Sequence, residues 1–307
     1  MSLHVVVIGA GAIGRLYGGW LAVGGARVSM LARGAAVAEL ADGLTLIGPG
    51  RRDRVRFEQV TADAASLAPA DAVIVATKLY DLEAAGKLAA RLQAPVLGLQ
   101  NGVSAHLALR PFHTPDRILV GPVYSPAVVS GAGEVTYPGG DKRIAVGNPF
   151  GPAHPVAARL VACWRAAGVA AALSNDIMRA LWVKYLAVVT NAALTSLARL
   201  PAGVIYRDPA LRTLARQSIA EAVAVGRAEG VALTDADAEA AFTFLAQLPP
   251  ETVASMRQDL DAGRPLELDA FSGHLVRRGA ALGVPTPFHA VVHACLMPFV
   301  DGARARR

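Results

Sequence analysis

Cysteine is almost absent from this chain: Cys163 and Cys295 are the only two in 307 residues. Neither belongs to a CxxC pair, so a disulfide framework or thiolate metal site is not expected, and both read as reduced core thiols. Aromatic residues make up only 6% of the sequence. Although the formal net charge is +6 and the pI is near 9.7, the arginines are scattered. No cluster of basic and aromatic side chains or recognised nucleic-acid motif accompanies them, which argues against a nucleic-acid partner. The tail arginines Arg304, Arg306 and Arg307 read as a solvated end. A clean membrane span is also missing, because the most apolar stretch, 181–200, is interrupted by Lys184 and Arg199 and fits a buried helix better. The apolar start at Val5 runs into glycines rather than a cleavage site, so a signal peptide is not expected. These absences point to a cytoplasmic protein with neither membrane nor nucleic-acid partners and no metal site.

What the chain does contain is length for two domains and an alanine-rich, 53% hydrophobic composition that favours helices. The fold class expected is α/β: an N-terminal Rossmann-type dinucleotide-binding domain over 1–172, then an all-helical domain over 173–307. In the first part, short β-branched runs at 5–8, 27–31, 72–76 and 96–99 alternate with amphipathic helices at 13–23 and 82–92, the pattern of a parallel sheet with crossover helices. A hairpin is expected around Gly48-Pro49-Gly50. Further strands are expected over 118–146, with turns at 130–133 and 138–141, followed by a helix at 154–167. Beyond Ser174 the strand signals fade, and helices are expected at 176–197, 209–229, 235–248 and 271–282.

Gly9-Ala10-Gly11-Ala12-Ile13-Gly14 follows an apolar strand and opens a helix, which is the context a dinucleotide fingerprint requires. Its glycines allow a tight turn, approach of a pyrophosphate and close helix–strand packing, while the helix N-terminus faces the phosphates. A site preferring NAD usually carries Asp or Glu some 20 residues further on. Here Ser29-Met30-Leu31-Ala32-Arg33-Gly34 contains no acid, and Arg33 suits a 2′-phosphate, so NADPH is the expected cofactor.

Four of the 30 basic residues are lysines: Lys78, Lys87, Lys142 and Lys184. Arginine cannot release its proton, whereas a desolvated lysine can act as a general acid. Lys78 follows the buried-looking strand at the sheet's carboxyl edge, where ligands of such sheets bind. Lys184 sits inside an apolar helix beside Trp182.

These residues, together with Gln100-Asn101-Gly102, Leu181-Trp182-Val183-Lys184, Ser255-Met256-Arg257-Gln258-Asp259 and Glu267-Leu268-Asp269, resemble the ketopantoate reductase (2-dehydropantoate 2-reductase) family over nearly the whole chain. The resemblance implies that NADPH and a small 2-oxo acid meet between a Rossmann and a helical domain. It implies Lys184 as general acid, Glu267 as an active-site carboxylate, and Asn101 and Ser255 as substrate contacts. It also implies Arg33, Lys78, Asn101 and Ala127 as cofactor contacts beside the glycine loop. Each polar residue keeps a plainer reading: Asn101-Gly102 as a turn pair, Ser255 with Gln258 as a helix capping box, and Glu267 as an acid in a helix's first turn.

The chain departs from the family pattern where amides are usual. Val188 and Ala192 stand four and eight residues after Lys184, Ala202 precedes Gly203, and Thr252 precedes Ser255 by three. Asn191, seven residues after Lys184, lies nearly on the lysine's face and is a candidate substitute for substrate binding. Two other readings share the two-domain plan: a dehydrogenase of the 3-hydroxy acid class, which typically has Asn where Val188 stands, and a non-catalytic NADPH-binding regulator. The apolar faces of the helical part are also compatible with a homodimer.

Overall fold

The computed structural model describes residues 2–139 and 142–303. The tail arginines and part of the expected 138–141 turn lie outside the described residues. The chain forms two compact units, one of residues up to Asn101 plus Ala105–Ile177, the other of Gly102–Ser104 and the chain from Met178 onward.

The first unit runs β1 (His4–Ile8), α1 (Ala12–Val23), β2 (Arg27–Leu31), α2 (Ala35–Leu40), β3 (Leu44–Gly48), β4 (Arg51–Val55), β5 (Gln59–Thr61), β6 (Ala72–Val75), α3 (Leu82–Ala90), β7 (Val96–Gly98), α4 (Ala105–Leu109), β8 (Ile118–Val120), β9 (Val128–Gly131), β10 (Glu134–Thr136), β11 (Arg143–Val146), α5 (Val156–Ala166) and β12 (Ala170–Leu173). Six strands form a sheet in the order β5-β2-β1-β6-β7-β8, with every neighbouring pair parallel. The strands β1 and β6 are buried at every position, which is why they read as continuous apolar runs rather than alternating ones. Against them packs an aromatic cluster in which Tyr17 and Trp20 of α1 meet edge to face at 5.0 Å. The expected hairpin is β3–β4, and it joins β10 and β9 in a second sheet.

The pair β11–β12 was not anticipated in full. Ala170-Ala171-Ala172-Leu173 is alanine-rich and carries no strand pattern, yet it pairs in parallel with β11. The thiols also differ from expectation: Cys163 is half-buried and Cys295 is exposed, so Cys295 is not a core residue.

The second unit holds α6 (Ile177–Ala198), α7 (Ala202–Ile205), α8 (Pro209–Ala228), α9 (Asp235–Ala246), α10 (Ser255–Asp261), α11 (Ser272–Leu282) and α12 (Pro287–Leu296). Among the described residues, α6 is the one helix long and apolar enough to cross a membrane, but it is mostly buried inside the fold. It spans 22 residues.

A buried polar chain ties four of these helices together. The Thr190 and Ser218 hydroxyls lie 2.8 Å apart, the Ser218 hydroxyl lies 3.1 Å from His289 Nε2, and His289 Nδ1 lies 3.1 Å from the Ser272 hydroxyl. The buried Glu221 carboxylate accepts from the backbone N–H groups of Phe288 and His289 at 2.8 and 3.1 Å, satisfying the first turn of α12. The α12 helix begins at Thr286-Pro287, an ordinary opening signal.

Burial pushes His289 down from 6.5 to about 4, against a smaller opposing contribution from the Ser218 carbonyl. A histidine depressed in the folded state binds a proton more readily when unfolded, so the stability it supports is full above about pH 6.5 and lost as pH falls toward 4. The expected loss is about 2 kcal/mol between pH 7.5 and pH 5. Urea unfolding at both pH values checks this, and His289→Gln should flatten the pH dependence while lowering stability at pH 7.5.

Candidate active site

The first group of site residues lies along the carboxyl edge of the parallel sheet. Strands β2, β1, β6 and β7 are consecutive neighbours, with Leu31 beside Ile8, Ile8 beside Val75 and Val75 beside Gly98. Arg33, the loop from Gly9 to Gly14, Lys78 and Asn101 follow those strands in turn. The sheet therefore aligns them as a row.

Each loop glycine has a distinct physical reason. Gly9 has φ +105°, and a Cβ there would lie 3.0 Å from the backbone of Ala76 and Thr77. A Cβ on Gly14 would lie 1.9 Å from the Gly9 carbonyl oxygen, so any other residue would push α1 off the strand. A Cβ on Gly11 would meet no atom within 4 Å. Protein packing does not demand a glycine there, whereas the approach of a ligand phosphate would. The N-terminus of α1 carries neither a side-chain cap nor an acidic residue in its first turn, so its N–H groups suit an anion. Beside it, the buried Thr77 hydroxyl lacks a partner among the described residues. This donor set fits a dinucleotide.

Three residues that sequence reasoning left without a role support this edge. Arg15 is buried on α1, where its Nε donates to the Ala10 carbonyl at 2.8 Å and its Nη2 pairs with Glu39. It thereby fixes the peptide between Ala10 and Gly11. Gln100 is buried too, and its amide nitrogen donates to the Val75 and Thr77 carbonyls at 2.9 and 3.1 Å, holding the turn that presents Lys78. Asp81 pairs with Arg33, Nη2 to Oδ2 at 2.9 Å. Arg15 was legible as a charged residue directly behind the glycine loop, whereas Asp81 is 48 residues from Arg33 and gave no local signal. Ala127 lies outside the row, half-buried in the segment between β8 and β9 and packed against the core of the first unit.

The second group belongs to the helical unit. Lys184 projects from α6; part of its surface remains exposed, but its ammonium is desolvated, and burial pulls it down from 10.5 to about 8. The Glu267 carboxylate opposes that shift by Coulomb attraction and loses to desolvation. Glu267 itself is buried. It stands in a non-helical segment between α10 and α11, anchored where the Leu266 N–H donates to the Val300 carbonyl at 2.8 Å. Its reading as a helix first-turn acid is therefore corrected.

Seven residues after Lys184, Asn191 returns to within about 20° of the lysine's azimuth on an ideal helix. The buried Tyr206 hydroxyl donates to Asn191 Oδ1 at 3.1 Å, which leaves the amide N–H groups as the end available for a ligand. One turn on, Thr195 ties α6 to α10: the Ala254 N–H donates to its hydroxyl at 3.4 Å and Arg257 Nη1 to its carbonyl at 3.0 Å. Ser255 is the exposed first residue of α10. Ala254, not Ser255, is the N-cap residue, and no side chain caps this helix, so the capping-box reading of Ser255 is also corrected. Of the four positions lacking the expected amides, Ala192 and Ala202 are buried at 1% exposure, while Val188 and Thr252 retain some surface. Positions 202 and 252 are adjacent, the Ala202 N–H donating to the Thr252 carbonyl at 2.8 Å.

Both units match family models: residues 5–150 match ketopantoate reductase PanE/ApbA, and residues 176–299 match its C-terminal domain. The chain is similar to 2-dehydropantoate 2-reductase of Caulobacter vibrioides, 33% identical with 95% of this chain and 97% of the relative covered. The enzyme of the same name from Halobacterium salinarum is 31% identical, over 93% of this chain and 95% of that one. Among solved structures, a PanE/ApbA family ketopantoate reductase from Ralstonia eutropha superposes with a TM-score of 0.87 at 32% identity, covering 97% of this chain and 98% of that one. With both halves matched in order and relatives aligned over nearly their full length, the chain belongs to the ketopantoate reductase family of nicotinamide-dependent oxidoreductases.

Proposed function

We propose that this protein reduces 2-dehydropantoate to pantoate with NADPH, Lys184 serving as the proton donor. The observation that carries this reading is the desolvated ammonium of Lys184 attracted by the Glu267 carboxylate, the two residues that the family resemblance implies as general acid and active-site carboxylate. NADPH, when bound, supplies a hydride to the ketone carbon of the 2-oxo acid. The carbonyl oxygen then gains negative charge, and Lys184 Nζ donates the proton that completes the hydroxyl. Glu267 keeps that ammonium charged in a desolvated setting and orients it. The neutral amine left behind recovers its proton from water.

On the cofactor side, the loop Gly9, Ala10, Gly11, Ala12, Ile13 and Gly14 would hold the pyrophosphate against the start of α1. Arg33 would meet the 2′-phosphate, with Lys78, Asn101 and Ala127 along the nicotinamide half. On the substrate side, Asn101, Asn191 and Ser255 would contact the 2-oxo acid. An apolar wall at Val188 would discriminate only weakly against substrates lacking the hydroxymethyl group.

Lys184→Ala should lower kcat by about a hundredfold or more while NADPH binding changes little, and Lys184→Arg should rescue poorly. Because the acid must be protonated, kcat should fall as pH rises through about 8. A steady-state pH profile of both variants against the parent checks the assignment, and near-normal turnover of Lys184→Ala would rule it out.

The altered pocket predicts a permissive enzyme. The ratio of kcat/KM for ketopantoate over 2-oxoisovalerate should stay below about a thousandfold. Asn191→Ala should lower kcat/KM about threefold to tenfold more for ketopantoate than for 2-oxoisovalerate. Measuring both substrates with both enzymes tests this, and a larger ratio in the parent would mean that other polar groups meet the hydroxyl.

A further inference from the structure

The carboxyl edge of the sheet contains an acid after all, but on a different strand from the usual one. Arg33 follows β2 by two residues and Asp81 follows β6 by six, with β1 lying between those strands. The two strands are therefore about 10 Å apart, and the Arg33–Asp81 pair at 2.9 Å bridges that gap beside the glycine loop that β1 leads into. Arg33 is 82% exposed and Asp81 37% exposed, so both remain accessible to a ligand. Asp81 also occupies the N-cap position of α3, where an aspartate would ordinarily accept from a backbone N–H of the first turn. Its side chain makes no such bond and is directed to Arg33 instead.

We propose that Asp81 is a cofactor-selectivity residue: its carboxylate supplies the ribose acceptor missing from the end of β2, admits NADH, and restrains the preference for NADPH. This rests on the reading that Arg33 faces the cofactor's adenine ribose. A 2′-hydroxyl can donate to the Asp81 carboxylate, the contact an NAD site normally obtains from an acid on the second strand. A 2′-phosphate meets the opposite situation. It needs the guanidinium that Asp81 engages, and it brings two negative charges close to a third. An exposed ion pair is weak enough to yield to a phosphate, which binds the guanidinium through charge-assisted, bidentate hydrogen bonds. NADPH therefore still binds, but less tightly than Arg33 alone would allow.

The sign of the effect separates this role from a merely structural one. If Asp81 only held Arg33 in place, its removal would weaken NADPH binding. If it competes for Arg33 and repels the phosphate, its removal strengthens NADPH binding and weakens NADH binding. Dissociation constants for NADPH and NADH, measured by quenching of protein fluorescence on the full-length parent, Asp81→Asn and Arg33→Ala, decide between them. Asp81→Asn should raise the NADPH-to-NADH affinity ratio about fivefold to thirtyfold, with NADPH tighter and NADH weaker than in the parent, and Asp81→Glu should restore most of the parent ratio. An unchanged ratio in Asp81→Asn, or weaker NADPH binding, overturns the proposal while leaving the Arg33 reading intact if Arg33→Ala loses NADPH affinity. If Arg33→Ala binds NADPH as the parent does, the ribose reading itself fails and takes this proposal with it.

Discussion

The first unit depends on one close approach, the first turn of α1 against the end of β1. A Cβ on Gly14 would sit 1.9 Å from the Gly9 carbonyl oxygen, so the helix can begin where it does only because that atom is missing. Once the helix starts there, its unsatisfied N–H groups open onto the carboxyl edge of a parallel sheet. The neighbouring strands then place Arg33, Lys78 and Asn101 on either side. Arg15 secures the arrangement from behind by holding the Ala10 carbonyl. A charge so well buried is tolerated because Glu39 pairs with it and the loop carbonyl accepts from it.

The helical unit faces the complementary problem of carrying an ammonium on a long, apolar, mostly buried helix. Desolvation alone would favour a neutral amine, and the Glu267 carboxylate offsets part of that, leaving Lys184 at about 8. The carboxylate can do this because the segment carrying it is fixed by its backbone rather than by a helix, Leu266 hydrogen-bonding to the carbonyl of Val300. A buried chain of Thr190, Ser218, His289 and Ser272 locks α6, α8, α11 and α12 in one arrangement. Polar groups in a low-dielectric interior specify geometry more sharply than apolar packing does, because each misplaced one leaves a partner unsatisfied.

Much of this was legible locally. The glycine loop, the apolar parallel strands and the long helices announce themselves by spacing and periodicity, since those signals arise from a residue's own backbone and its nearest neighbours. Short or atypical elements did not: β12 is written in alanines, and α10 spans only Ser255–Asp261. Ser255 and Glu267 each fitted a familiar helix-end pattern, and both patterns were wrong. Ala254 precedes the true first residue of α10, and Glu267 lies outside any helix.

The amino-acid sequence by itself determined the order of the longer elements, the glycine loop after β1, the want of an acid after β2 and the lysine on an apolar helix. Each of these is a matter of residue type and short-range spacing. Only the tertiary structure decided which distant side chains meet. Asp81 reaches Arg33 across an intervening strand, Tyr206 takes one end of the Asn191 amide, and Glu267 approaches Lys184 from a segment 83 residues later in the numbering. Such pairings depend on strand order and helix packing, which are set by burial of the whole core rather than by any local pattern. The same burial turned two of the four missing amides, at Ala192 and Ala202, into core positions and left Val188 and Thr252 with surface to present.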